Sequence, residues 1–449
     1  MTNDTICAIS TPFGRGAIAL IRVSGKNALS EVSKAFKGKN LLNAKTHTIN
    51  HGFIIDNSKN IIDEVLISIM KGPKSFTGED VVEISTHGGI LVTQKVLERL
   101  LELKIRLANP GEFSMRAFLN GKIDLIQADG IIEMIDAKNE NALKIAKASL
   151  TKKISNIINA LRDELLDIIA AIEVNIDYPE YDDVQIIENE IVKPKVLNLI
   201  EKLEKLIEKQ QEMQFIKDGV KVAIIGRPNV GKSSLLNLLL QEEKAIVTNI
   251  AGTTRDVIET SLNIKGITIN LFDTAGIRKT DDKIEKIGVE KSKDILLKAD
   301  LVLLVIDKSQ RLQEEDLKLL KLTENKTRII ILNKTDLNLN NVKIDEGIDF
   351  STKTDDFIES LRDKIVEVLS ISKIDEKDFN YLSNIRHINK VKDATLALKN
   401  VLVGIEKNFP IDILTIDLKE SWNLLGDIVG KRYDDELIDE LFSKFCLGK

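Results

Sequence analysis

Three patterns in the sequence predict a multidomain chain of mixed class, α/β and α. Short strand-like runs alternate with two helices over residues 1–118, which predicts an α+β domain on a mixed sheet. Apolar residues at three- and four-residue steps mark helices in 119–213 and again in 376–449. Between these, 214–375 alternates strands and helices as a parallel-sheet α/β domain does. The simplest layout is an N-terminal α+β domain, then a discontinuous helical domain that carries an inserted α/β domain.

The elements follow in order. Ile6-Cys7-Ala8-Ile9 and Ala17 to Val23 read as strands, with Gly14 and Gly16 marking the turn. Lys26 to Phe36 has helical spacing. Strands are expected at His47 to Ile55, Glu64 to Met70 and Val81 to Thr86. A helix from Ile90 to Leu103 and an extended Ile105-Arg106-Leu107 close the domain. Further on, Leu150, Ile154, Ile158, Leu161, Leu165, Ile169 and Ile172 line one face of a long helix, which Pro179 ends. Val196, Leu199, Leu203 and Leu206 repeat the spacing, as do Val391, Ala394, Leu398 and Val401. Stripes this apolar are read as bundle core rather than partner surface. In the inserted domain the strands are Val220 to Ile225, Ile267 to Phe272, Leu301 to Ile306 and Arg328 to Leu332.

Composition bounds the function. The 449 residues are 43% hydrophobic and 30% charged, as in an ordinary soluble protein. A net charge of −6 argues against coating nucleic acid by bulk attraction. Two distant cysteines, Cys7 and Cys446, predict a reducing compartment and no disulfide framework. No apolar run approaches the roughly 18 residues of a membrane span, and no basic-then-apolar leader opens the chain. The expectation is a cytoplasmic protein with no membrane contact. Four scattered histidines offer no metal-ligand spacing.

The richest stretch is Gly226-Arg227-Pro228-Asn229-Val230-Gly231-Lys232-Ser233-Ser234, which fits G-x-x-x-x-G-K-[ST] between a strand and a helix. Backbone N–H groups at a helix start cradle phosphate oxygens. Lys232 is expected to reach the β- and γ-phosphates and Ser233 to hold Mg²⁺. Asp273-Thr274-Ala275-Gly276 ends a strand, where an Asp reaches Mg²⁺ through water and a Gly N–H meets the γ-phosphate. Gly252-Thr253-Thr254-Arg255-Asp256 lies between, with Thr254 completing the Mg²⁺ shell. Asn333-Lys334-Thr335-Asp336 follows a buried strand, and its Asp accepts from N1–H and N2–H₂ of guanine. Charge-assisted bonds of ~1.5–3 kcal/mol each select guanine over adenine, which lacks that donor pair. Ser351-Thr352-Lys353 backs the base. Four motifs in register predict GTP binding on a Ras-like fold, and resemble the translational-factor-like GTPases.

Two residues bear on mechanism. Ras-type enzymes carry a water-orienting Gln after D-x-x-G, and here Ile277 takes that place, so another group must orient water. Glu285 is the candidate; its other reading is a solvated glutamate on a charged helix. Asn229 either ligates a monovalent cation beside the phosphates or braces its own loop.

The chain ends Phe445-Cys446-Leu447-Gly448-Lys449, and its first part carries Gly14-Arg15-Gly16, Ser75-Phe76-Thr77-Gly78-Glu79-Asp80 and His87-Gly88-Gly89. Asn109-Pro110-Gly111-Glu112-Phe113-Ser114 and Arg116-Ala117-Phe118-Leu119-Asn120-Gly121-Lys122 follow. With the GTPase motifs, this pattern resembles the MnmE (TrmE) family of tRNA-modification GTPases over essentially the whole chain. The resemblance implies a K⁺-stimulated GTPase acting with a FAD-containing partner, MnmG, on C5 of the wobble uridine of certain tRNAs. A tetrahydrofolate derivative (5-formyl or 5,10-methylene) supplies the one-carbon unit. It implies folate contacts from Arg22, Glu83, Lys122 and Lys449, and a homodimer through the N-terminal domain. It also implies K⁺ held by the Asn229 side chain and by backbone oxygens of Thr248, Ile250 and Thr253. Nucleotide contact extends through Thr248, Asn249, Ile250 and Ala251. Glu285 matches the water-orienting glutamate of the family, with Lys232 and Thr254 as its catalytic companions. Cys446 resembles the family cysteine tied to the modification; packing is its other reading. Ser351-Thr352-Lys353 departs from the usual S-A-K.

Two other classes compete. A ribosome-assembly switch that binds rRNA would call for a KH-type module or a second GTPase domain, and neither is present in the sequence. A folate-binding scaffold with a vestigial nucleotide site conflicts with intact Lys232, Ser233, Thr254 and Asp273.

Overall fold

The structure, a computed structural model, describes residues 4–177, 189–242, 258–272, 296–337, 344, 346–351, 357–369, 382–432, 435–443, 445 and 448. The chain divides into two compact units: Met1–Ile132, Leu150–Ala170 and Lys419–Lys449 in the first, Glu133–Ser149 and Ala171–Leu418 in the second.

The N-terminal part holds β1 (Thr5–Ile9), β2 (Ile18–Ser24), α1 (Ala28–Ala35), β3 (Phe36–Gly38), β4 (Thr48–Ile55), β5 (Ile61–Met70), β6 (Val81–His87), α2 (Ile90–Leu101), β7 (Ile105–Leu107) and α3 (Glu112–Leu119). Its seven strands run β3-β4-β5-β6-β2-β1-β7. All neighbours are antiparallel except β1 with β7. The alternation in β5 turns Val65, Ile67 and Ile69 to one buried face. That face meets Val32 and Ala35 of α1 and Val96 and Leu100 of α2. Burying such side chains contributes roughly 1.5–3 kcal/mol each. Cys7 sits in the same core, and burial pushes its thiol up to about 12. The helix expected to reach Phe36 stops one residue short. Phe36 pairs with Ile54 instead, and its ring lies over Gly52, where a Cβ would collide with it. Pairing and aromatic packing outweigh local helical spacing here.

Helices follow: α4 (Leu125–Asp136), α5 (Glu140–Leu150), α6 (Lys153–Asp177), α7 (Asn189–Ile207) and α8 (Gln210–Asp218). The apolar stripes are buried, with Ile158, Leu165 and Ile172 of α6 and Val196 and Leu203 of α7 nearly inaccessible. Pro179 lies outside the described residues.

The inserted domain comprises β8 (Val220–Ile225), α9 (Lys232–Glu242), β9 (Ile258–Ile264), β10 (Ile267–Phe272), β11 (Leu301–Asp307), α10 (Glu314–Leu322), β12 (Arg328–Asn333), β13 (Gly347–Asp349) and α11 (Phe357–Val368). The sheet order is β13-β12-β11-β8-β10-β9. Every pair is parallel except β9 with β10. All seven residues of β11 are buried, as a strand covered on both faces requires. From β8 the chain goes first to β9 and β10 on one side and then to β11 on the other. The loop after β8 therefore opens at the switch point of the sheet, where ligands bind in such folds.

The chain closes with α12 (Ile385–Glu406), which packs along α7, then α13 (Ile411–Val429) and α14 (Asp435–Ser443). Phe442 and Phe445 join Phe118 and Leu125 in one apolar cluster. Gly111, at φ +70, starts α3 where a Cβ would collide with the Phe442 carbonyl. No helix among the described residues is long and apolar enough to cross a membrane.

Candidate functional site

β8 delivers the chain to Gly226 and α9 takes it up again at Lys232. The turn between them needs glycine twice. A Cβ on Gly226 would collide with the Val305 carbonyl, and one on Gly231, at φ +104, with the Asn333 side-chain amide. Val230 is buried in the sheet core beside Leu235 and Leu236. Lys232 Nζ donates to the Gly226 and Arg227 carbonyls at 2.8 and 2.6 Å, so the amine spans the mouth of the loop. Ser233 and Ser234 occupy the first turn of α9, where unsatisfied N–H groups favour an anion. Asn229 adopts φ 60, uncommon for a residue with a side chain. Its amide is exposed and has no hydrogen bond to a described residue.

The Asn333-Lys334-Thr335-Asp336 motif lies at the same carboxyl edge of the sheet. Asn333, buried at the end of β12, donates through Nδ2 to the Val230 carbonyl at 2.6 Å. Its Oδ1 accepts the Lys334 backbone N–H at 2.7 Å. Lys334 Nζ meets Asp307 Oδ2 at 2.7 Å. Burial acts to push the Asp307 carboxyl up, but the lysine and the Ser309 hydroxyl and N–H hold it below the usual carboxylate range. Asp336 lies in the short turn Thr335–Leu337, and Ser351 Oγ donates to its Oδ1 at 3.2 Å. Phosphate loop, N-K-T-D and Ser351 are thus assembled at one edge.

Two acids escaped the sequence reading. Asp316 accepts from Arg227 Nε at 2.8 Å through Oδ1 while its Oδ2 takes the Gln313 N–H at 3.0 Å, tying the loop to the start of α10. Asp307 anchors Lys334. The available signals were an acid ending a wholly apolar strand and an acid in the first turn of a helix, and both patterns are common enough to pass unnoticed.

Thr248, Asn249, Ile250, Ala251, Gly252, Thr253, Thr254, Asp273, Thr274, Ala275, Gly276, Glu285, Thr352, Lys353, Cys446 and Lys449 lie outside the described residues. Among the described residues no group of three or more His, Cys, Asp or Glu is placed to hold a metal.

In the first unit, Arg22 and Glu83 face each other across β2 and β6. Glu83 Oε1 accepts from Arg22 Nε and Nη2 at 2.9 and 2.8 Å, leaving Oε2 without a hydrogen bond to any described residue. Arg22 Nη1 also donates to the Gly448 carbonyl at 3.3 Å, which Ser10 Oγ meets at 3.1 Å. The guanidinium lies 5.7 and 5.8 Å from the Phe76 and Phe113 ring centres. Aromatic rings, a cation and a half-used carboxylate suit a flat heterocycle with amide and amino groups. Lys122 Nζ is engaged by the Pro73 carbonyl at 2.9 Å.

Comparison with known proteins bears on both sites. The models for the "GTP-binding protein TrmE N-terminus" and the "MnmE helical domain" match residues 5–122 and 125–446. The tRNA modification GTPase MnmE of Acholeplasma laidlawii is 53% identical, with 100% of both chains covered. The MnmE of Lactococcus lactis subsp. lactis is 50% identical over 99% of this chain and 98% of its own. The chain belongs to the MnmE family. It is therefore a GTPase, and MnmE membership implies binding of GTP and Mg²⁺. The solved G domain of the T. maritima FeoB iron transporter is 30% identical over 33% of this chain and 98% of its own, at a TM-score of 0.25, and adds nothing to the assignment.

Proposed function

We propose that this MnmE family member is a K⁺-stimulated GTPase that works with a FAD-containing partner, MnmG, on C5 of the wobble uridine of certain tRNAs. A tetrahydrofolate derivative supplies the one-carbon unit. The observation that carries the cation-dependent part is Asn229. A loop-bracing asparagine spends its amide on neighbouring backbone, whereas this one is exposed, left-handed and unbonded to any described residue. An amide oxygen so placed beside the phosphate loop can ligate K⁺ together with backbone oxygens of Thr248, Ile250 and Thr253, and the ion adds positive charge where negative charge develops. Glu285 orients water in place of the missing glutamine. Ser233 and Thr254 hold Mg²⁺, and Lys232 meets the phosphates.

The folate assignment draws on Arg22, Glu83 and Lys122, with Lys449 next to a Gly448 carbonyl already bonded to Arg22. The N-terminal domain, 1–118, serves binding and homodimerisation. The helical halves, 119–213 and 376–449, flank the GTPase domain at 214–375. The rRNA-switch alternative calls for a different accessory module, and the N-terminal family match occupies residues 5–122 instead.

The test is GTP hydrolysis by the full chain in KCl against NaCl, with Glu285→Ala alongside. A K⁺-specific rise that disappears in the variant is expected. Equal rates in the two salts would remove the cation from the mechanism.

A further inference from the structure

Asn139 occupies the turn between α4 and α5 and is 8% exposed. Its Oδ1 caps α5 by accepting the Ala142 N–H at 2.7 Å. Its Nδ2 donates to the Ile216 carbonyl near the end of α8 at 3.1 Å and to Thr268 Oγ1 on β10 at 2.9 Å. One buried amide thus joins three segments of the second unit, and both of its N–H hydrogens are used. Beside it, Asn141 Nδ2 donates to the Gly266 carbonyl in the β9–β10 turn at 3.4 Å. Gly266 has φ +82, and a Cβ there would come within 2.8 Å of that amide. Asn270 Nδ2 on β10 returns to the Asp218 carbonyl at 3.1 Å.

The place of this junction in the chain gives it meaning. β9 begins four residues after Thr254, and β10 ends at Phe272, immediately before Asp273. The hairpin therefore links the two segments assigned to sensing the γ-phosphate. β10 is bonded to β8 on one side and β9 on the other, so it moves as a stiff unit rather than bending locally. Ile145 and Ala148 of α5 pack on Met213 and Ile216 of α8. Apolar packing of that kind tolerates sliding, whereas directional bonds from one buried amide hold a single register.

We propose that Asn139 is a positioning residue that couples the β9–β10 hairpin to the α4–α5 turn, so that the nucleotide state at Asp273 is read at residues 133–149. The inference rests on the GTPase reading and goes beyond it. A hairpin displacement beyond the few tenths of an ångström that a hydrogen bond tolerates must either break the Asn139 bonds or carry the turn with it, which is the two-state behaviour that transmission requires.

The test is hydrogen–deuterium exchange on the full chain in KCl, with GDP alone and with GDP plus aluminium fluoride. Wild type should show an exchange difference across residues 133–149 of about fivefold between the two conditions, the low end of ordinary coupling. Thr268→Val removes the acceptor hydroxyl, and Asn139→Asp keeps the α5 cap while losing both donors. Each should bind a fluorescent GDP as wild type does and hydrolyse GTP at the basal rate, yet lose the difference at 133–149. The two variants act on opposite ends of one bond, so either alone carries the test if the other is poorly folded. Persistence of the difference in the folded variant, or its absence from wild type that binds GDP, overturns the coupling. Failure of wild type to bind GDP overturns the GTPase reading itself.

Discussion

Asn333 Nδ2 donates to the Val230 carbonyl at 2.6 Å, binding the guanine motif to the phosphate loop across 103 positions of sequence. The contact holds the N-K-T-D turn and the G-x-x-x-x-G-K-S loop at a fixed separation. It also explains why Gly231 must be glycine, since any Cβ there would collide with the same amide.

Asn333→Ala removes this tie and leaves the buried Val230 carbonyl without its donor. An unsatisfied buried group costs about 1–3 kcal/mol, so GDP affinity should fall roughly 5- to 150-fold. Titration with a fluorescent GDP reads the loss directly. An affinity unchanged within twofold would show that the two motifs are held together by other contacts.

Asp336→Asn exchanges a double acceptor for an amide with one acceptor oxygen and one NH₂ donor group. Guanine loses charge-assisted bonds of ~1.5–3 kcal/mol each, so GTP should bind at least tenfold more weakly. Xanthine carries a carbonyl where guanine has its amino group, and the new amide can donate to it. Competition between GTP and XTP checks this, and a retained preference for GTP would move guanine selection away from Asp336.

The N-terminal domain should be acid-labile at a defined place. Glu112 and Arg116, each 3% exposed, pair at 2.9 Å, and Arg106 reaches Glu112 at 2.6 Å. Burial alone would raise the Glu112 carboxyl, but the hydrogen bonds from Arg106, the Asn109 N–H and Arg116 outweigh it and leave it below the usual range. A depressed carboxylate contributes stability that is complete above its unfolded pKa and is lost as pH falls through the lower folded value. Thermal midpoints should therefore decline as pH drops below about 4.3, the ordinary Glu value. Arg116→Ala takes from the buried Glu112 one of its two guanidinium partners, leaving Arg106, and should cost about 1–3 kcal/mol. Denaturant melts of the variant at neutral pH measure that cost.

Much of the architecture was legible because its signals are local. Val220 to Ile225 and Ile267 to Phe272 were read at their observed bounds, since short apolar runs flanked by glycine or polar turns have few alternatives. β3 and β13 went unread, each being three residues long and a strand only because a neighbour pairs with it. In the site, Lys232, Ser233, Asn333 and Asp336 were named from motif spacing. Asp307 and Asp316 were not, because an acid that steadies another residue leaves no pattern in the sequence.

By itself, the order of residues determined the family, the alternation of element types and the spacing of the G-x-x-x-x-G-K-[ST] and N-K-x-D motifs. Those features depend on spacings of a few residues and on backbone shapes that only certain amino acids adopt. Tertiary structure alone decided that Asn333 holds Val230, that Arg22 shares itself between Glu83 and Gly448, and that Asn139 reaches a strand 129 positions away. Such bonds follow from how separate segments pack, and a linear sequence does not say which distant carbonyl will be left waiting for a donor.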